Sequence, residues 1–249
     1  ESMDDESMSD ESMDDESMSD ESMDDESMSD ESMDDESMSD ESMDDESMDD
    51  GHMPTTFTVT ITNTSDDADL ATPLAPGAFI VHTSMETLFA EGTLDRGEGL
   101  EALAEDGDPS TLVTSLAALP SVSTAGAFAN PDGGSEPGPA LPGSSYSFTF
   151  EASQGDYLSF ATMFVQSNDW FFATAPSGIS LFDDNTPLEG DISDLIGLWD
   201  AGTEVDETPG EGESQAPRQA AANTGDTQDA AIAAVDGYSG SIMVTVTVG

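Results

Sequence analysis

The chain contains no cysteine and no lysine, and among its 249 residues only two arginines and two histidines stand against 56 acids. The first absence excludes disulfides, thiol nucleophiles and zinc–thiolate centres. The second excludes the lysine that a phosphate-cradling glycine loop requires. No run approaches the ~18 apolar residues of a membrane-spanning helix. No serine sits in a G-x-S-x-G elbow. Asp200-Ala201-Gly202-Thr203 is near the aspartic-protease signature, but alanine replaces its hydroxyl residue and no second copy completes a dyad. His82, alternating with Ile80, is expected on the solvent face of a strand. These gaps argue against an enzyme, and a hydrolase is the least favoured reading.

Negative charge is abundant, with a formal net charge of −54. Residues 1–50 hold 26 of the acids, which leaves 30 against two arginines in the remainder. Nucleic acid and anionic membrane faces repel such a chain. Self-repulsion at this density strains a compact fold in dilute salt. At molar salt, where the Debye length is ~3 Å, it is screened. Absent lysine and dense carboxylate therefore point to a halophilic protein, as in haloarchaea; an acidic cation-sponge is the plainer alternative. The chain begins with Glu1, consistent with removal of an export signal. Asn63-Thr64-Ser65 fits a glycosylation sequon.

Residues 1–50 are five copies of a decapeptide, Glu-Ser-Met-Asp-Asp-Glu-Ser-Met-Ser-Asp, the last ending Asp-Asp. Methionine every five residues matches neither the helical nor the strand period. Such a segment buries too little to offset its ordering entropy, so residues 1–53 are expected to form a disordered acidic tether. Gly51-His52-Met53 has the look of a cloning junction. Residues 54–249 are expected to fold as one domain. Thr56–Thr62 and Ile242–Val248 alternate apolar and hydroxyl residues, the signature of a half-buried antiparallel sheet. Further strands are expected at Ala78–His82, Thr87–Ala90, Tyr146–Ala152, Tyr157–Val165 and Gly178–Phe182. Short helices are expected at Gly99–Glu105 and Ser110–Leu119, the second capped by Asp108-Pro109. Pro and Gly mark loops at 130–143 and 208–225. The sum is an all-β fold, an antiparallel β-sandwich with a small helical insertion.

Both tryptophans adjoin an aspartate, in Ser167-Asn168-Asp169-Trp170 and in Trp199-Asp200-Ala201-Gly202-Thr203-Glu204. With so few cations in the sequence, carboxylates held close together are costly unless a hard ion lies between them, and calcium is the natural candidate. The plain alternative is that these acids are solvated, as most others are. Asp66-Asp67-Ala68-Asp69 and Asp183-Asp184-Asn185 read as solvated turns, lacking the central glycine and closing glutamate of a calcium loop. Arg218 is a candidate partner for the carboxylates of 199–204.

The segments Ala161–Trp170 and Leu198–Glu204, with the upstream Glu98-Gly99-Leu100-Glu101-Ala102-Leu103-Ala104-Glu105-Asp106-Gly107, resemble the spondin amino-terminal domain family over roughly residues 55–248. That resemblance implies a calcium-binding β-sandwich of the extracellular matrix. Carried over position by position, it places the metal ligands at Asp169, Asp200 and Glu204. Asn168 stands where the family has proline, and Glu204 where it has aspartate, one methylene shorter. The implied role is a secreted or cell-surface module for adhesion or matrix contact, whose partners are calcium and other surface proteins or glycans. The alternative is a structural subunit of an extracellular filament or surface layer, a homo-oligomer built by exchanging Thr56–Thr62 or Ile242–Val248 if either is an unpaired edge.

Overall fold

Alternation in the first strand sets the architecture. Phe57, Val59 and Ile61 are fully buried while the intervening threonines face outward. A computed structural model describes residues 53–85, 87–238 and 240–249, all within one compact unit. The acidic tether expected at 1–53 lies outside the described residues, Met53 apart.

Along the chain come β1 (Thr55–Asn63), β2 (Leu74–His82), helices α1 (Leu100–Asp106) and α2 (Ser110–Ala117), β3 (Val122–Phe128), β4 (Ser145–Ala152) and β5 (Tyr157–Phe164). Then follow β6 (Trp170–Thr174), β7 (Ile179–Ser180), β8 (Phe182–Asp183), β9 (Thr186–Pro187), β10 (Gly190–Asp191), β11 (Ile196–Asp200), β12 (Ala233–Ala234) and β13 (Ile242–Val248). One sheet has the order β10-β13-β1-β4; a larger one runs β12-β11-β6-β5-β2-β3, with β7 also on β5. All pairings are antiparallel. The expected all-β sandwich with a helical insertion is the fold observed.

Two cores flank the larger sheet. Between the sheets, Phe57, Phe148, Phe150 and Val244 meet Phe79, Phe128, Phe160 and Phe172. On the far side, Ile80, Phe171 and Trp199 lie beneath Leu100, Leu103, Leu112 and Leu116 of the helices and Phe89 of the preceding loop. β2 and β5 are thus buried on both faces, which explains their nearly continuous burial. It also corrects the reading of His82. The ring is fully buried, with Nε2 2.8 Å from Ser159 Oγ and Nδ1 2.5 Å from the Ser84 carbonyl. Alternation placed it opposite the inter-sheet core; the side opposite is not solvent here but the second core.

Thr87–Ala90, expected as a strand, is irregular and fills that second core with Leu88 and Phe89. The Gly178–Phe182 stretch is split between β7 and β8. Asp184-Asn185 turns the β8–β9 ribbon and Asp66-Asp67 lie in a short 3-10 turn, both as expected. Asp108 Oδ1 accepts the Ser110 N–H at 2.9 Å, a local turn at the start of α2. β1 is flanked by β13 and β4, and β13 by β1 and β10. Neither end strand is an open edge, so the condition set for strand exchange is not met. Asn63 is fully buried, its Nδ2 donating to the carbonyls of Thr72 (2.8 Å) and Ala140 (2.9 Å). The sequon is occupied by the fold itself. Among the described residues no helix is long and apolar enough to cross a membrane.

Candidate functional site

The β5–β6 turn and the end of β11 are brought together by strand pairing. Trp170 of β6 lies opposite Asp200 of β11, and Phe171 opposite Trp199. Successive residues of a strand face opposite ways, so the two tryptophans separate. Trp199 enters the helix-covered core, 4.9 Å from the Phe89 ring. Trp170 packs against Phe164 and Tyr238 on the inter-sheet side. They do not jointly wall one pocket; each anchors its own side of the sheet.

Asp169 sits between them, fully buried. Its Oδ2 accepts the backbone N–H of Thr203 (2.7 Å) and of Glu204 (3.0 Å), with the Thr203 hydroxyl at 3.3 Å. Its backbone carbonyl accepts Ala201 N–H at 3.2 Å. Asp200 Oδ1 accepts the Gly202 N–H at 2.7 Å, closing a tight turn. That turn needs glycine: Gly202 has φ +69°, and a Cβ there would meet the Ala230 carbonyl oxygen at 2.6 Å. Residues 202–205 then pair with 226–230 through Gln228 N–H to Thr203 O (2.7 Å) and Val205 N–H to Asp226 O (2.8 Å). The long loop is laid down as an irregular third partner beside Asp169.

Asn168, marked in the sequence only as a replacement for proline, organises the loop. Its Nδ2 donates to Glu204 Oε2 and Glu207 Oε2, each at 3.2 Å, and its Oδ1 accepts Glu207 N–H at 3.0 Å. A proline here would supply none of these bonds. Arg218 does not pair with the carboxylates of 199–204. Its Nε donates to the Gly212 carbonyl at 2.6 Å, Nη1 to Gln166 Oε1 at 3.0 Å, and Nη2 to Gln215 Oε1. Inside the long loop, carbonyl and amide oxygens lie nearer than any acid it was expected to neutralise.

The electrostatics divide the acids into two groups. Burial pushes Asp169 up to about 7, against the N–H bonds from Glu204 and Thr203 and reinforced by Asp200 and Asp206. Burial raises Asp200 too, with the Gly202 N–H and the neighbouring Asp169 carboxyl opposing the rise. Glu204, 4% exposed, is raised by burial but faces elsewhere, toward Asn168, Asp106, Glu207 and Glu101. Glu105 of α1 is driven by burial to about 7, with the Thr203 hydroxyl opposing and Glu204, Glu101 and Asp169 adding to the rise. The three sequence-assigned residues therefore lie on one loop junction. Asp169 and Asp200 adjoin, while the Glu204 side chain is held aside by Asn168. Among the described residues no three acidic or histidine side chains are grouped so as to hold one ion where they stand.

One oxygen of this pair receives no donor from the described residues. Asp169 Oδ1 is buried and has no hydrogen-bond partner. A buried carboxylate oxygen without a donor carries the full desolvation cost. The adjoining oxygen donors here are Asp169 and Asp200, while Glu204 is tied to Asn168. Fold and site together define an antiparallel β-sandwich with a helical cap and an acid pair at a loop junction, Asp169 buried and Asp200 half-buried. No protein-family model matches the chain, and no curated protein matches it in sequence.

Proposed function

We propose that this is a secreted or cell-surface calcium-binding β-sandwich module, serving adhesion or matrix contact and adapted to high salt. The unpartnered Asp169 Oδ1 beside Asp200 carries the reading. The resemblance of residues 161–170 and 198–204 to the spondin amino-terminal family supports it. Calcium would supply two positive charges and tie the β5–β6 turn to the 200–205 loop. Asp169 and Asp200 would contact it directly, and Glu204 would join by exchanging its Asn168 bond for the ion. Backbone carbonyls and water complete a shell of six to eight oxygens. Other surface proteins or glycans are the partners that suit such a module. The filament reading loses its simplest route, since β1 and β13 are both paired.

The test is calorimetric titration with CaCl2 in molar KCl, where surface carboxylates are screened. Saturable binding on the order of 10⁻⁴ to 10⁻³ M, the range of extracellular modules, lost in Asp169→Asn and in Asp200→Asn, is the expected result. Binding unchanged by both substitutions removes this function.

A further inference from the structure

Residues 109–131, which form α2 and β3, contain no acid and no base, and no other stretch of the chain is free of charge for as long. They make one border of the larger sheet. Among the described residues β3 pairs with β2 alone, so its other side presents N–H and C=O groups without a strand partner. The remaining sheet borders are guarded. β10 and β12 span two residues each, and Glu189 and Asp191 charge the first of them. β4 begins beside Asp132, whose N–H donates to the Ser145 carbonyl at 2.7 Å and whose Oδ2 accepts the Ser147 hydroxyl at 2.9 Å; Glu151 lies near its other end. Of these devices β3 has only a register shift at Ser123, beyond which Thr124–Phe128 pair regularly. Its Ser123 and Ala127 are exposed, and Phe128 is buried.

An open edge takes up another extended strand through main-chain hydrogen bonds. Charge decides between the partners. Residues 51–249 carry 30 acids against two arginines, so two copies repel wherever their acids face each other. At β3 they meet without one. A basic peptide is drawn instead to the acid-rich faces. An antiparallel edge is also its own complement, because a two-fold axis lays the same strand beside itself with N–H opposite C=O. α2 packs over β2 and β3, and its exposed Thr114 and Ala117 set no charge against the helix of a second copy. We infer that β3 is the interface of a two-fold dimer, in which Thr124–Phe128 of two copies of this chain pair antiparallel and join their larger sheets into one. Such a contact occupies both open edges, so assembly stops at two and does not grow into a filament. The pairing uses neither Asp169 nor Asp200 and stands apart from the calcium reading.

The test is sedimentation equilibrium of the full chain in molar KCl with chelator, from micromolar to millimolar protein. Wild type is compared with Ser123→Glu combined with Ala127→Glu, and with Thr149→Glu on β4 as a control; near-ultraviolet circular dichroism establishes that each is folded. The expected result is a wild-type mass rising to twice 25.9 kDa. The dissociation constant should increase about tenfold or more in the β3 variant, where like charges line the paired edge, and stay unchanged in Thr149→Glu. A wild type that stays monomeric at millimolar concentration overturns the inference; that is also the outcome if an extended segment of a different protein takes this edge. So does a dimer equally tight in the folded β3 variant, or one weakened only by Thr149→Glu, since either places the contact elsewhere. If the β3 variant does not fold, hydrogen exchange on wild type decides. Amide protection that grows with concentration at 124–128 supports the pairing, and its absence there overturns it.

Discussion

Replacing Asp169 by asparagine should stabilise the ion-free protein at alkaline pH, although it removes a residue of the proposed site. The fully buried carboxyl titrates near 7 instead of 3.8. At 1.36 kcal/mol per pH unit, holding it ionised costs about 4 kcal/mol. Because the folded group binds its proton more tightly than the unfolded one, its contribution to stability is fully present below pH 3.8. It is lost as pH rises through 7. Asparagine keeps an oxygen for the Thr203 and Glu204 N–H groups and has no charge to desolvate. In chelator at pH 8, Asp169→Asn should therefore exceed wild type by about 2–4 kcal/mol, which for a domain of this size is roughly 4–16 °C in Tm. Calcium at 10 mM, with a dissociation constant of 10⁻⁴ to 10⁻³ M, should give wild type about 1.4–2.7 kcal/mol and the variant nothing. Thermal melts in molar KCl at pH 5 and 8, with chelator or calcium, measure all four states. A variant less stable than wild type in chelator at pH 8, or a wild-type stability that does not fall between pH 5 and 8, would refute the reasoning.

Burial lowers the pKa of His82, so its contribution runs the other way, present above pH 6.5 and lost as pH falls through the folded value; with that opposing contribution removed, the urea midpoint of His82→Gln should rise more than that of wild type as pH falls from 7 to 5. Gly202→Ala forces a Cβ against the Ala230 carbonyl in a left-handed turn; a loss of about 1–3 kcal/mol in chemical denaturation is expected. Tyr146→Phe strips the hydroxyl that accepts Ala140 N–H at 3.0 Å and donates to the Gly138 carbonyl at 2.6 Å; guanidinium denaturation should show it about 1–3 kcal/mol less stable.

The sandwich was legible where one face of a strand meets solvent, because there the two-residue alternation survives. β1, β4 and β13 could be read for that reason. β6 and β11 were not, since five residues give too short a pattern and their tryptophans and aspartates drew attention to chemistry instead. β3 was missed because Ser123, Thr124 and Gly126 dilute its apolar content. His82 and Thr87–Ala90 were misread for one cause: nothing local announces that a second core covers the far side of β2. At the site, the tryptophan–aspartate segments located the junction, but not that Asn168 holds Glu204 aside, nor that Glu105 arrives from a helix about 100 residues upstream of Glu204. Such contacts depend on how the long loop is routed, and a sequence pattern carries no record of that.

The asparagine at the end of β1 has a further consequence for how the protein travels. Both amide hydrogens of Asn63 are spent on main-chain carbonyls, and its oxygen takes the N–H and hydroxyl of Ser65. An oligosaccharyltransferase needs that nitrogen free and reachable. A sugar at position 63 and the folded sandwich thus exclude each other, so intact-mass detection of a glycan there would report molecules decorated before they closed.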